Sequence, residues 1–399
     1  MDREALVNRN RGMAEAFHQT PYKHHLRRLM LQTVSLLPIN RQKSKSDRVL
    51  IIRPDHLGDV LLTTPAIQAI KQTNPYTEIH VLVGPWSASV LINYPEIDRV
   101  LTLPFPGFSR NSNENIRSPY QLAYQSARHL RSIGYGSAII MRPDHWWGAL
   151  LAFLAGIPIR IGYDLPDVAP FLTHALPHDH QHVVRQNLKL VENWTGKIDE
   201  KQLRLNFYPA PADATYINSL LQKQGIDEKQ SLICIHPGSG TWVKRWEASR
   251  WASVADTLSE QLNSTVVFTG GDHEMPLVNE ITELMKTEAC VMVGDTQVDQ
   301  LGALFQRAQV VLGPDSGPLH LAVAVNTPTV TLFGPADPVE FGPWGDRARH
   351  MVLTSDIGCR PCRVLDWAGD NPENHPCMRD ISVGSVLEAA RRVVQFNQE

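Results

Sequence analysis

Residues 48–72 read RVLIIRPDHLGDVLLTTPAIQAIKQ, and the order of residue types in this stretch decides the fold class. Residues 48–53 are a short apolar run closed by arginines at both ends, the pattern of a strand buried on both faces. A Pro-Asp-His-Leu-Gly turn follows, and residues 59–72 predict a helix. The alternation continues outward. Residues 78–83 predict a strand, Pro119 to about Ser132 a helix, 136–141 a strand, and 150–155 part of an apolar helix. Short buried strands separated by helices imply a parallel sheet covered on both faces.

The second half repeats the scheme, with strands expected at 231–236, 264–269, 289–293, 308–313 and 328–333. The chain therefore reads as α/β, with two doubly wound domains over residues 48–205 and 206–375. The join lies near 195–230, where Gly196, Pro209 and Pro211 interrupt the pattern. In such sheets ligands bind beyond the carboxyl ends of the strands. That directs attention to the strand-to-helix junctions.

Length and composition agree with this reading. The 399 residues are 43% hydrophobic and 20% charged, as in a globular protein with room for two or three cores. Five scattered cysteines make no disulfide framework, and a reducing compartment is expected. No apolar run approaches the roughly 20 residues of a membrane span, and MDREALVNRNRG lacks the apolar core of a signal peptide. A cytoplasmic location is the expectation.

Residues 1–48 carry a net charge of +6 and the remainder −9. An acidic body makes poor contact with phosphate backbones, so no nucleic-acid partner is expected. The basic leader, residues 1–47, has Leu26, Leu29, Met30, Val34 and Leu37 at helical spacing beside Lys23, Arg27 and Arg28. It suits either a helix packed on the body or a peripheral contact with an anionic membrane face. Pro38 and the polar run 40–47 read as a linker.

Three junctions carry residues able to do chemistry. Arg53-Pro-Asp-His-Leu-Gly-Asp59 follows the first strand, and Asp59 there can cap a helix or take a proton from a bound hydroxyl. His236-Pro-Gly-Ser-Gly240, continuing to Lys244-Arg-Trp246, follows a strand of the second domain. Gly238, Ser239 and Gly240 let backbone N–H groups approach an anion, and Lys244 adds a full charge. Asp315-Ser-Gly-Pro-Leu-His320 opens another helix: Ser316 can cap it, Gly317 permits close approach, and Asp315 can accept from sugar hydroxyls. His320 is equally readable as a core histidine. Glu274, after Gly270-Gly271, is a further acceptor suited to a ribose. An anion-binding domain facing a carboxylate is the layout of a nucleotide-sugar binder and an acceptor domain.

With these residues in view, Arg53-x-x-x-x-Gly58-Asp59-x-Leu61-Leu62-x-Thr64-Pro65 resembles the N-terminal motif of glycosyltransferase family 9, the ADP-heptose:lipopolysaccharide heptosyltransferases. His236-Pro-Gly-Ser239 with Lys244-Arg-Trp246 resembles that family's phosphate loop. Asp315-Ser-Gly-Pro-x-His320 through Phe333-Gly-Pro335 resembles its donor-sugar motif. The match covers residues 48–395. It departs at Glu247, where proline is frequent, at Ala336, where threonine is common, and in the long leader.

The resemblance implies a GT-B fold of two facing Rossmann-like domains, with a C-terminal helix, residues 376–399, crossing back onto the first. It implies inverting transfer of heptose from ADP-heptose to a lipid-linked saccharide of the lipopolysaccharide core, without metal or cofactor. Carried over, Asp59 is the general base and Lys244 neutralises the departing diphosphate. His236, Gly238, Ser239, Gly240, Glu274, Asp315, Ser316, Gly317 and His320 form the donor pocket. Arg142-Pro-Asp-His145 echoes Arg53-Pro-Asp-His56, and Arg53, His145 and Trp146 are expected to line the acceptor side, with packing aromatics as the alternative.

The chain has no Asp-x-Asp pair to hold a metal, which suits a fixed cation at the leaving group. Cys359, Cys362, His375 and Cys377 have zinc-ligand types, but a structural or redox role is expected ahead of metal. The alternatives are a nucleotide-sugar epimerase of similar architecture and a non-catalytic nucleotide-sugar-binding protein.

Overall fold

The computed structural model describes residues 2–19, 21–39, 47–108, 118–367 and 370–396. They form two compact units, one of residues 20–203 and one of residues 204–399 together with 1–19.

The first unit is a six-stranded parallel sheet. Its strands are β1 (Val49–Arg53), β2 (Ile79–Val83), β3 (Arg99–Thr102), β4 (Ser137–Ile140), β5 (Ile159–Tyr163) and β6 (His174–Leu176), in the order β3-β2-β1-β4-β5-β6. Every residue of β1, β2 and β4 is buried, the polar Arg53, His80 and Ser137 included. β1 pairs with β2 from Val49↔Ile79 to Arg53↔Val83, and with β4 from Val49↔Ser137 to Ile52↔Ile140. Strand order reverses between β1 and β4, and the crevice at such a switch point is where doubly wound sheets bind ligands.

The second unit repeats this plan with β7 (Leu232–Ile235), β8 (Thr265–Gly270), β9 (Cys290–Val293), β10 (Ala308–Pro314), β11 (Thr329–Phe333) and β12 (His350–Thr354). The order is β12-β11-β10-β7-β8-β9, so its switch point lies between β7 and β10. Trp246 and Trp251 meet edge to face at 4.9 Å in the core that covers this sheet.

Two expectations need correction. The single helix over 59–72 is two, Leu57–Leu61 and Thr64–Thr73. Pro65 has no N–H to bond back to Leu61, but it fits the first turn of a new helix. The C-terminal helix spans Val383–Phe396. Val386, Ala389, Ala390, Val393 and Val394 are buried in the core of the second sheet.

The leader, finally, is not one segment. Helix Arg3–His18 belongs to the second unit, burying Leu6, Asn10 and Ala14, with Arg9 on Asp370 at 2.7 Å and the Asn10 amide donating to the Asn374 carbonyl at 2.8 Å. Helix Tyr22–Ser35 belongs to the first unit. Its Leu31 is fully buried beside Ile140, Leu150 and Phe171, and Arg27 and Arg28 both hold Asp167. A buried leucine contributes about 1.5–3 kcal/mol, against about 0–1 kcal/mol for a part-exposed ion pair, so Leu31 decides the docking. The linker over 40–47 lies, apart from Asp47, outside the described residues. Among the described residues no helix is long and apolar enough to cross a membrane.

Candidate active site

All three motifs lie at the carboxyl ends of strands beside the two switch points. In the first unit β1 ends at Arg53, and the turn Pro54–His56 leads into helix Leu57–Leu61. Asp59 sits in the first turn of that helix with its side chain 33% exposed. Its Oδ1 accepts from Arg53 Nη2 at 3.3 Å. The cap position is His56, which makes no side-chain cap, so Asp59 is a carboxylate presented beside a guanidinium and not the N-cap.

Arg53 is buried. Its Nη1 donates to the Met141 carbonyl at 3.0 Å, and its Nε lies 2.7 Å from Asp55 Oδ2, close but not aligned for a hydrogen bond. Asp55 Oδ1 accepts from Arg142 Nη1, and Arg142 Nε donates to Asp144 at 2.6 Å. Burial alone would raise the Asp55 carboxyl, but Arg53 and Arg142 outweigh it and hold Asp55 below the usual carboxylate range. The backbone of this turn is clamped as well. Trp86 Nε1 and Ser87 Oγ donate to the Asp55 carbonyl at 3.0 and 3.1 Å. A Cβ on Gly84 would lie 2.1 Å from the Trp86 ring, which is why the chain has glycine there.

In the second unit the turn after β7 runs His236–Gly240, and the turn after β10 runs Asp315–Ser316 into helix Gly317–Ala324. Lys244, on the short turn Trp242–Lys244, reaches Asp315 Oδ2 at 2.6 Å, both side chains largely buried. A cation is therefore fixed between the two turns, next to the exposed Gly240 and the amino end of a helix. His320 Nε2 lies 4.0 Å from Asp315 Oδ1. Burial keeps His320 below its ordinary value and thus neutral, although Asp315 pulls the other way.

His236 bonds Thr269 Oγ1 at 3.1 Å and is likewise held low by burial against the pull of Glu274. Glu274 is buried; its Oε2 accepts from the Gly271 N–H at 2.8 Å, and a Cβ on Gly238 would lie 1.7 Å from its Oε1. Glycine at 238 is thus the condition for Glu274 to lie under the loop. The two turns present a lysine, backbone N–H groups and a neutral histidine, a set suited to a diphosphate.

The chain matches the family model described as glycosyltransferase family 9 (heptosyltransferase) over residues 124–367, more than half its length and parts of both units. The chain belongs to this family. It is a glycosyltransferase. It is 28% identical over 325 residues to lipopolysaccharide heptosyltransferase 3 of Escherichia coli, covering 79% of this chain and 87% of that one. It is 25% identical to lipooligosaccharide heptosyltransferase 2 of Campylobacter jejuni, covering 87% and 99%. Among solved structures, a family 9 glycosyltransferase of Veillonella parvula superimposes with a TM-score of 0.74 at 24% identity, over 88% of this chain and 97% of that one. The heptosyltransferase II of E. coli does so with a TM-score of 0.69 at 21% identity, over 88% and 100%. The fold is accordingly GT-B, two Rossmann-like domains.

Several residues of this glycosyltransferase sit differently from expectation. Arg53 and His145, expected on an acceptor surface, are buried. Arg53 supports Asp59 instead, and Trp146 is half-buried against Tyr120 with Arg27 over its ring. Ser316 stands at the cap position, but its hydroxyl makes no cap bond and finds no partner among the described residues. Ser239 turns its hydroxyl onto the Thr241 carbonyl at 2.6 Å, leaving only its backbone for a ligand. Glu274 is tied to Gly271 and not presented outward. The residues that sequence reasoning missed are Asp55 and Trp86. The repeated Arg-Pro-Asp-His was the available signal for Asp55.

His145 makes a measurable prediction. Its ring packs against Phe105 and Phe108, and neither nitrogen has a partner among the described residues. Burial pushes the imidazole down to about 3, although Asp55 pulls it up. An unfolded histidine titrates near 6.5. Between those values only the unfolded chain takes the proton, so stability is full above pH ~6.5 and falls as the pH drops, by about 1.4 kcal/mol per pH unit. His145→Leu should reduce the stability difference between pH 7 and pH 5 by about 2 kcal/mol in denaturant titrations of the first unit. An unchanged difference would contradict a buried neutral ring.

The cysteines are all free thiols, and Cys377 is buried, which pushes its thiol up to about 12. His375 is engaged by Asp370 at 2.7 Å and its ring lies tilted against Trp367, 4.4 Å between centres. Among the described residues, Cys359, Cys362, His375 and Cys377 do not bring three ligand atoms within 4.8 Å of one another. A cavity of about 760 Å³ opens at the amino ends of β1, β4 and β5, lined by Asp47, Asn74, Tyr76 and Trp194. It contains no motif residue, and ligands of doubly wound sheets bind at the other end.

Proposed function

We propose that the protein transfers heptose from ADP-heptose to a sugar of the lipopolysaccharide core, with inversion and without a metal. The first unit binds the acceptor and the second the donor. The observation that carries this reading is the coincidence of the three motifs with the switch points β1/β4 and β7/β10.

Asp59 takes the proton of the acceptor hydroxyl as its oxygen forms a bond to the anomeric carbon. The bond from that carbon to the diphosphate breaks on the opposite face, and ADP leaves with the electron pair. Lys244 neutralises the charge that develops on the diphosphate, and the N–H groups at 238–240 and 316–317 donate to it. Asp315, already paired with Lys244, accepts from sugar hydroxyls, and neutral His320 supplies a further polar contact. His236 and Glu274 hold the phosphate loop in place. Trp146 borders the acceptor side. A thermal-shift screen of ADP- and UDP-sugars tests the donor, since a ligand bound to the native state raises stability by mass action. Selective stabilisation by ADP-heptose is expected; stabilisation by UDP-sugars alone would overturn the assignment.

A lipid-linked acceptor also calls for work at a membrane face. Helix Tyr22–Ser35 and the residues after it expose Tyr22, Leu26, Leu29, Met30, Leu36 and Leu37 along one side, with Leu31 docked on the other. Lys23, Arg41, Lys43 and Lys45 lie nearby in sequence. This is the pattern of an interfacial helix that rests on anionic lipid at the inner face of the cytoplasmic membrane. The chain should sediment with phosphatidylglycerol-containing vesicles and not with phosphatidylcholine alone. The double change Leu26→Glu, Leu29→Glu should abolish sedimentation with an unchanged circular dichroism spectrum, and equal sedimentation of both proteins would remove the helix from this role.

A further inference from the structure

Arg53-Pro-Asp-His56 and Arg142-Pro-Asp-His145 are the same four residues at the ends of two hydrogen-bonded parallel strands. The strand register pairs Ile52 with Ile140, so Arg53 lies opposite Met141 and the two motifs are one residue out of step. That stagger gives the two loops unequal parts. Asp55 turns inward, where its two oxygens meet Arg53 and Arg142 separately. Asp144 stays exposed and grips only Arg142, at 2.6 and 3.2 Å. The result is an alternating chain Asp144–Arg142–Asp55–Arg53–Asp59, in which Asp55 and Arg53 are buried and the two ends, Asp144 and Asp59, reach solvent.

We propose that Asp55 is a positioning residue for the transfer: held between two guanidinium groups, it fixes the edge of Arg53 that meets Asp59 and so orients the carboxylate that receives the acceptor's proton. This rests on the reading of Asp59 as the base. The distances give the reason. Arg53 lies 2.7 Å from Asp55 but 3.3 Å from Asp59, so its charge is matched more by the buried partner than by Asp59. Without Asp55 more of that charge falls on Asp59. A tight Arg–carboxylate pair would form, with the basic oxygen occupied and turned away from the acceptor. Trp86 and Ser87 fix the Asp55 backbone, so the carboxylate has little freedom to be replaced by a neighbour.

The test compares Asp55→Asn, Asp55→Glu and Arg142→Gln in the full chain, reading kcat and KM for ADP-heptose with a core acceptor, ADP affinity by calorimetry, and thermal melting. Asp55→Asn should lower kcat ten- to a hundredfold with the donor KM and the ADP affinity within twofold. Asp55→Glu should recover at least threefold over the asparagine variant, and Arg142→Gln should lower kcat severalfold with the same split. A folded Asp55→Asn protein with kcat within twofold of the parent would overturn the proposal, as would a kcat loss matched by an equal loss of ADP affinity. If Asp55→Asn does not fold, Arg142→Gln decides by the same criteria. Asp59→Asn run in parallel separates the two readings: if it stays active the base assignment has failed, and if it alone is dead only the positioning role has.

Discussion

Asp59→Asn is expected to lower kcat by about 10²–10⁴-fold, the span of a lost general base, equivalent to about 3–5 kcal/mol of barrier. The change is isosteric. Asparagine keeps an oxygen to accept from Arg53 Nη2, so the 3.3 Å contact and helix Leu57–Leu61 should persist. The side chain is a third exposed, so little folding stability depends on it. ADP affinity should be unchanged, because the proposed diphosphate contacts come from the turns after β7 and β10. Steady-state kinetics with calorimetric ADP titration checks both halves. An Asp59→Asn protein that loses turnover and ADP affinity together would remove the base assignment.

Lys244→Met should have the next largest effect, about 10²–10³-fold in kcat, as for loss of one charge-stabilising group at a leaving oxygen. Here the nucleotide is affected too. ADP should bind at least tenfold more weakly, and added salt should matter less to the variant, since an ion contact has gone. Stability should fall as well. Asp315 would remain buried without the partner now 2.6 Å away, and an uncompensated buried charge costs about 3–5 kcal/mol. Lys244→Met combined with Asp315→Asn should regain most of that stability without regaining turnover. Unchanged ADP affinity in the single variant would contradict the phosphate role.

Much of the fold was legible because its central strands are buried on both faces. Residues 49–52, 232–235 and 310–312 are unbroken apolar runs, and burial on both faces is what such runs mean. The edges were not. β3 carries Arg99 and Thr102, β6 begins at His174, and both face solvent in part, so no apolar run marks them. The apolar positions of the C-terminal helix fit the sheet nearest in sequence.

At the candidate site, residues placed by a strand ending were readable. Gly58, Asp59, the glycines of 238–240 and Asp315 lie where strand endings place them. Burial was not readable. Arg53 at a strand end, and His145 and Glu274 in the connections, are polar residues for which sequence predicts exposure, and only three-dimensional pairing turns them inward. Asp55 was hidden for the same reason, since its partner Arg142 is remote in sequence and adjacent only through strand pairing.

The most direct test of heptosyl transfer is the release of ADP from ADP-heptose by the unaltered protein, measured with and without a lipopolysaccharide core oligosaccharide. Release should require the acceptor and yield a glycoside with the anomeric configuration of the donor inverted. Conversion of ADP-heptose at the same rate without acceptor, or a product that retains the donor configuration, would contradict it.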